Sequence, residues 1–207
     1  MAARIRSGRW QAVGCRVVVL HTGRLTRRQQ MWVGVLHAGP GSCLGGSTAA
    51  EADGFEGFPS LPVHVVVRRG RRVPPLEHPQ VRLVVHESRR LQPGDVHPAR
   101  SPARTRLPRP IVDAAAWAGA DDAARAILAA AVQQRLVRVA ELKAVLAGGG
   151  ALRRRRLLLE TLDDVEGGSH SLPELQWLDL LRRRNLPLPT CQRKVRRPNG
   201  TYYLDAD

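Results

Sequence analysis

Five prolines fall between residues 92 and 110, at 93, 98, 102, 108 and 110. No regular helix or interior strand tolerates that density, because each ring removes a backbone donor and fixes φ. The stretch therefore reads as an extended linker strapped across a surface, and it divides two differently patterned parts of the chain.

Ahead of it, Trp10–Val13 and Cys15–Leu20 read as two short strands joined at Gly14. Thr26 is placed to cap a helix over 27–38 that Gly39-Pro40 stops, with Trp32, Val35 and Leu36 on one face. Residues 47–53 suit a short second helix. Val63–Val67 and Val81–Glu87 have the β-branched content of strands, and between them lie Arg68-Arg69-Gly70-Arg71-Arg72 and a proline-rich turn. Beyond the linker the period becomes helical, over Ile111–Gly119, Asp121–Leu136, Val139–Leu146 and Leu152–Asp163, with a glycine break at 148–150. Another helix is expected from about 172 to 184. Two strands follow, Cys191–Arg197 and Thr201–Asp205, around Pro198-Asn199-Gly200, since Asn and Gly both tolerate positive φ. The expected fold class is mixed α and β (α+β).

Apolar residues make up 43% of the 207 and charged residues 25%, enough of the former for a buried core. The longest apolar runs, such as Val17–Leu20, fall far short of the ~20 residues that span a bilayer. That run, set between Arg16 and His21, is also too short for a signal peptide, so a cytoplasmic protein is expected. Cys15, Cys43 and Cys191 are too few and too scattered for a disulfide framework or a zinc ribbon.

Charge is the strongest compositional feature. Lys and Arg total 33 against 18 Asp and Glu, a formal net charge of +15. Residues 1–110 hold 18 basic and 6 acidic side chains, and residues 111–207 hold 15 and 12. A field of that sign attracts polyanions, because neutralising phosphates releases condensed counterions. The best phosphate-contact candidates are Arg4, Arg6 and Arg9 beside Trp10 on a hairpin, then Arg68, Arg69, Arg71 and Arg72 in their turn. Arg153–Arg156 and Arg182–Arg184 spread around helix turns and read as solvated surface.

Other motifs are weaker. The histidines lack paired-ligand spacing, and no phosphate-cradling glycine loop appears. Glu141-Leu-Lys143 fits the letters of a nuclease strand motif but lies in a helical pattern. Aromatic residues are only 4%, which disfavours a single-strand stacking platform. Ser171-Leu-Pro-Glu174 opens a helix and is by itself a capping box.

The run from Gly167-Gly-Ser-His-Ser-Leu-Pro-Glu174 through Leu186-Pro187-Leu-Pro189 and Gln192 to Asn199-Gly-Thr-Tyr-Tyr-Leu-Asp205 resembles a known domain. It is similar to the start of the very-short-patch-repair-like endonuclease domain of many actinobacterial proteins, in the PD-(D/E)xK restriction-endonuclease-like superfamily. Arg4-Ile-Arg-Ser-Gly-Arg-Trp10-Gln resembles the wing of their winged-helix segment. Leu25–Gln29, Ala38–Gly41, Ser47–Ala50, Val63–Val67 and Ile111–Ala115 resemble their middle region, itself similar to abortive-infection-type antitoxin regulators.

The resemblance implies a wing remnant plus antitoxin-regulator-like region over 1–110, a helical connector over 111–168, and the start of an endonuclease-like module over 169–207. It makes Glu174 the helix carboxylate and Asp205 the metal-binding acid, with Mg²⁺ as the ion if the site were complete. The family's remaining third-strand acid is expected past Asp207 and its reader helices ahead of Met1, so both ends are expected to be clipped and cleavage by this chain is not expected. The function implied is a nucleic-acid-associated protein holding DNA electrostatically. The alternatives are a Mg²⁺-dependent DNA endonuclease and an antitoxin-like partner of a toxin protein.

Overall fold

In a computed structural model the described residues are 1–59, 61–89, 91–148, 151–167, 172–189, 191–197 and 200–206, with the backbone alone described for 172, 191–197 and 200–206. They form a mixed α/β protein in two compact units, Met1–Asp113 and Ala114–Asp207.

The first unit opens with a short helix α1 (Ala2–Arg6) and a hairpin of β1 (Gln11–Val13) and β2 (Val17–Val19), paired antiparallel. The hairpin is thus shorter than its sequence pattern, and Arg4 and Arg6 sit on helix α1 instead of on a strand. Backbone bonds from Arg9 and Trp10 to the Arg4 carbonyl close that helix before the strand begins.

Helix α2 (Arg27–Ala38) has a complete capping box. The Gln29 amide donates to the Thr26 hydroxyl, and the Thr26 amide donates to the Gln29 side chain. Its buried residues are Met31, Val33, Gly34, His37 and Ala38, whereas Trp32 is 37% and Leu36 52% exposed. The face expected from sequence is therefore rotated. Met31 and Ala38 pack on the main sheet while Val33 packs with Val13, Val17 and Leu25 at the hairpin, so two partners on neighbouring sides decide which residues are buried.

The main sheet has the order β3 (Cys43–Leu44), β4 (Val63–Arg68), β5 (Leu83–Ser88), with helix α3 (Gly46–Ala52) between β3 and β4. β3 runs antiparallel to β4, and β4 parallel to β5 with Val63 opposite Leu83 and Arg68 opposite Ser88. The parallel pair is joined by the 69–82 crossing, the length such a connection needs. Val63, Val65 and Val67 point at α2, and alternation sends His64 and Val66 to the other face.

The proline-rich segment folds back on itself beside this sheet. A 3-10 turn (Pro93–Asp95) leads into an antiparallel bridge of Val96 with Thr105, and Leu44 bridges to Arg104. The Thr105 amide donates to the Leu44 carbonyl and the Leu44 amide to the Ala103 carbonyl. Residues 103–105 thereby border β3, and this is what puts Arg104 beside α3.

Helix α4 (Arg109–Trp117) contains the division between the units. The second unit holds α5 (Asp121–Gln133), α6 (Val139–Ala147), α7 (Arg155–Glu166), α8 (Leu172–Arg183) and the antiparallel pair β6 (Cys191–Arg197) and β7 (Gly200–Ala206). Leu128, Leu142, Leu146, Leu158, Leu162 and Leu175 are its largest fully buried side chains among the described residues. Glu141 and Lys143 are helix charges: Glu141 accepts from the Arg138 amide, and Lys143 pairs with Asp163 and Glu166 of α7. The Ser171 cap and the Pro198-Asn199 turn lie outside the described residues.

Candidate nucleic-acid interface

The arginines of the first unit divide into those tied to the protein and those free to meet a ligand. Arg71 belongs to the first group. Its Nε donates to the Ala38 carbonyl and Nη1 to the Pro40 carbonyl, while Arg16 Nη1 donates to the His37 carbonyl. Two guanidinium groups thus satisfy the open carbonyls at the C-terminus of α2 and complement its dipole. Gly39 follows at φ +84, a conformation that favours glycine, and a Cβ there would stand 2.6 Å from the tip of the Arg71 side chain at Nη2. Arg68, Arg69 and Arg72 are exposed, and their guanidinium groups form no hydrogen bond or ion pair among the described residues. The arginine turn therefore offers three cations to solvent, one fewer than its sequence suggests.

At the N-terminus the Arg4 guanidinium lies 4.7 Å from the centre of the Trp10 ring, a cation–π contact that holds the arginine against the surface. Arg6 and Arg9 are exposed.

A basic cleft that sequence reading missed lies between α2, the end of α3 and residues 99–104. It encloses about 630 Å³ and is lined by Arg27, Arg28, Arg100 and Arg104 together with Glu51 and Met31. Arg27 donates to both Glu51 carboxylate oxygens, at 2.9 and 3.1 Å from Nε and 2.8 Å from Nη2. Arg104 Nε donates to Asp53 at 2.8 Å, with the side chains 6% and 12% exposed. A second recess of about 430 Å³ adjoins it, lined by Asp53, His97, Arg100 and Arg106. The only sequence signal was four arginines in three separate segments, with nothing local to join them.

No protein-family model, curated protein or solved structure matches this chain.

Glu174 is exposed in the first turn of α8, where a carboxylate complements the helix dipole. Asp205 lies on β7 between Leu204 and Ala206, which pair with Arg193 and Cys191; its side chain is outside the described residues. Among the described residues no group of three or more His, Cys, Asp or Glu side chains converges to hold a metal ion. No helix among them is long and apolar enough to cross a membrane.

Proposed function

We propose that this chain is a nucleic-acid-associated protein whose first unit holds DNA by the phosphate backbone, within the endonuclease-like and antitoxin-like family its motifs resemble. What supports the reading is where charge goes uncompensated. Residues 1–113 contain 18 arginines and 7 acids. Among the described residues, ion pairs there involve only Arg27, Arg104 and Arg109. In the second unit, by contrast, Arg125, Arg138, Lys143, Arg154, Arg156, Arg182 and Arg183 are all paired with carboxylates. Backbone contacts position a protein on DNA without reading its sequence, so binding is weakly sequence-specific. The proposal assigns no cleavage step to Glu174 or Asp205.

The test is anisotropy of a labelled duplex with 5′-hydroxyl ends, between about 50 and 200 mM salt. Each phosphate neutralised contributes about −0.9 to the slope of log K against log salt. Replacing Arg68, Arg69 and Arg72 with Ala, or Arg4, Arg6 and Arg9 with Ala, is expected to lower the slope by a unit or more. A flat salt dependence in the unaltered protein sinks the reading.

A further inference from the structure

The 630 Å³ cleft has a property that duplex binding does not need. Arg104 is nine-tenths buried at its wall, yet the one hydrogen bond its guanidinium makes is from Nε to Asp53; both Nη groups are without a partner. The one sealed, unpartnered side-chain nitrogen or oxygen among the described residues is His37 Nδ1, so the Arg104 amino groups open onto the cleft that the residue lines. A buried guanidinium whose outward fork is unsatisfied is an arrangement that a bidentate oxyanion completes. Asp53 holds the fork in place without using it.

Charge narrows the ligand. Arg27, Arg28, Arg100 and Arg104 face only Glu51 and Asp53, leaving two positive charges in excess. Arg28 and Arg100 are exposed, and their side chains form no hydrogen bond or ion pair among the described residues. A phosphodiester carries one charge and reaches a recessed group poorly, because chain continues on both sides of it. A terminal phosphoryl group carries close to two charges at neutral pH and three acceptor oxygens. The volume also lies within the range of about 300–1,000 Å³ that small-molecule sites occupy.

We propose that this cleft binds a phosphate monoester, with Arg104 as the buried fork and Arg28 and Arg100 closing on the outer oxygens. The monoester is that of a free mononucleotide or of the 5′ end of a nucleic-acid strand. This goes beyond the duplex reading and does not depend on it.

The experiment titrates the full chain with adenosine 5′-monophosphate and adenosine, with inorganic phosphate, and with one single-stranded oligonucleotide carrying either a 5′-phosphate or a 5′-hydroxyl. The expected result is a preference of about tenfold or more for the phosphorylated member of at least one pair. A preference in the nucleoside pair alone identifies a small-molecule site; one in the oligonucleotide pair identifies a strand end. Inorganic phosphate is expected to compete in either case. Substituting Arg28→Ala and Arg100→Ala together removes two exposed, unpartnered side chains, so the thermal midpoint is expected to hold while the preference falls to about one. Arg104→Lys keeps a cation beside Asp53 but removes the fork, and is expected to weaken monophosphate binding about tenfold. The proposal is overturned if neither pair shows a preference, or if the preference survives loss of Arg28 and Arg100. Duplex binding with 5′-hydroxyl ends reports separately on the proposed function.

Discussion

His64 Nδ1 lies 2.9 Å from His86 Nε2, and the two rings stack with centroids 5.2 Å apart. The residues sit on neighbouring parallel strands, in a register that sets His64 opposite Val84 and His86 opposite Val66, so both point to the face away from α2. A hydrogen bond between two imidazoles requires a bare lone pair on one of them, so the contact exists only while at least one ring is neutral.

Acidification is expected to weaken the first unit between about pH 6.5 and pH 4. Burial, with the nearby His64, pushes His86 down to about 4, and burial with the Arg27 charge lowers His64. Both folded values lie below the unfolded one, so the unfolded chain takes up protons first as pH falls through 6.5. Stability is then full above that value, declines toward pH 4 and levels off below it. The whole His86 shift would be worth about 3 kcal/mol; the ring edge reaches solvent, which screens this to about 1–2 kcal/mol. Denaturant midpoints at several pH values check this, and His86→Gln is expected to flatten the profile.

Gly34→Ala is expected to destabilise the first unit by about 1–2 kcal/mol. Alanine in a helix interior gains about 1 kcal/mol over glycine. Here its Cβ would stand 2.7 Å from Val63 Cγ1 and 3.3 Å from both Leu83 Cδ1 and Val65 Cγ2. Those atoms belong to branched side chains on the sheet, Val63 and Val65 buried and Leu83 partly buried, and overpacking of that kind costs about 1–3 kcal/mol. A thermal midpoint unchanged or raised would mean that α2 can move off β4.

Arg71 and Arg72 are neighbours in sequence with opposite expected phenotypes. Losing Arg71 exposes the carbonyls at the end of α2, so Arg71→Ala is expected to cost about 1–2 kcal/mol of stability. Arg72→Ala is expected to stay within about 0.5 kcal/mol of the parent and to reduce the salt slope of duplex binding instead. Urea denaturation and anisotropy on the two single variants separate the roles.

Cys15 and Cys43 are expected to differ in alkylation. Cys15 is exposed, whereas Cys43 is buried at 1% exposure and burial raises its thiol to about 11. The thiolate is the reactive form, so at pH 8 Cys43 carries very little of it. Mapping of iodoacetamide adducts is expected to show early modification of Cys15 and none of Cys43 until denaturant is added.

Much of the secondary structure was legible because its signals are local. Thr26 and Gln29 are three residues apart, and their capping box and Gly39 bound α2 as the pattern predicts. The β-branched run at 63–67 and the apolar periods of α5 to α8 need no knowledge of distant residues. The side of α2 that is buried was not legible, because Trp32 and Leu36 have the right chemistry and only the positions of the sheet and hairpin exclude them.

The sequence by itself determined the mixed α and β elements and the gathering of positive charge in the first half, both properties of neighbouring residues or of simple counts. Tertiary structure decided which arginines remain available. Arg71 is tied to carbonyls 31 and 33 positions away, and Arg104 to an aspartate 51 positions away, while Arg28 and Arg100 have no such partner. An arginine is a ligand-binding group only when the fold leaves its donors unsatisfied, and that depends on which distant acceptors the backbone brings within about 3 Å.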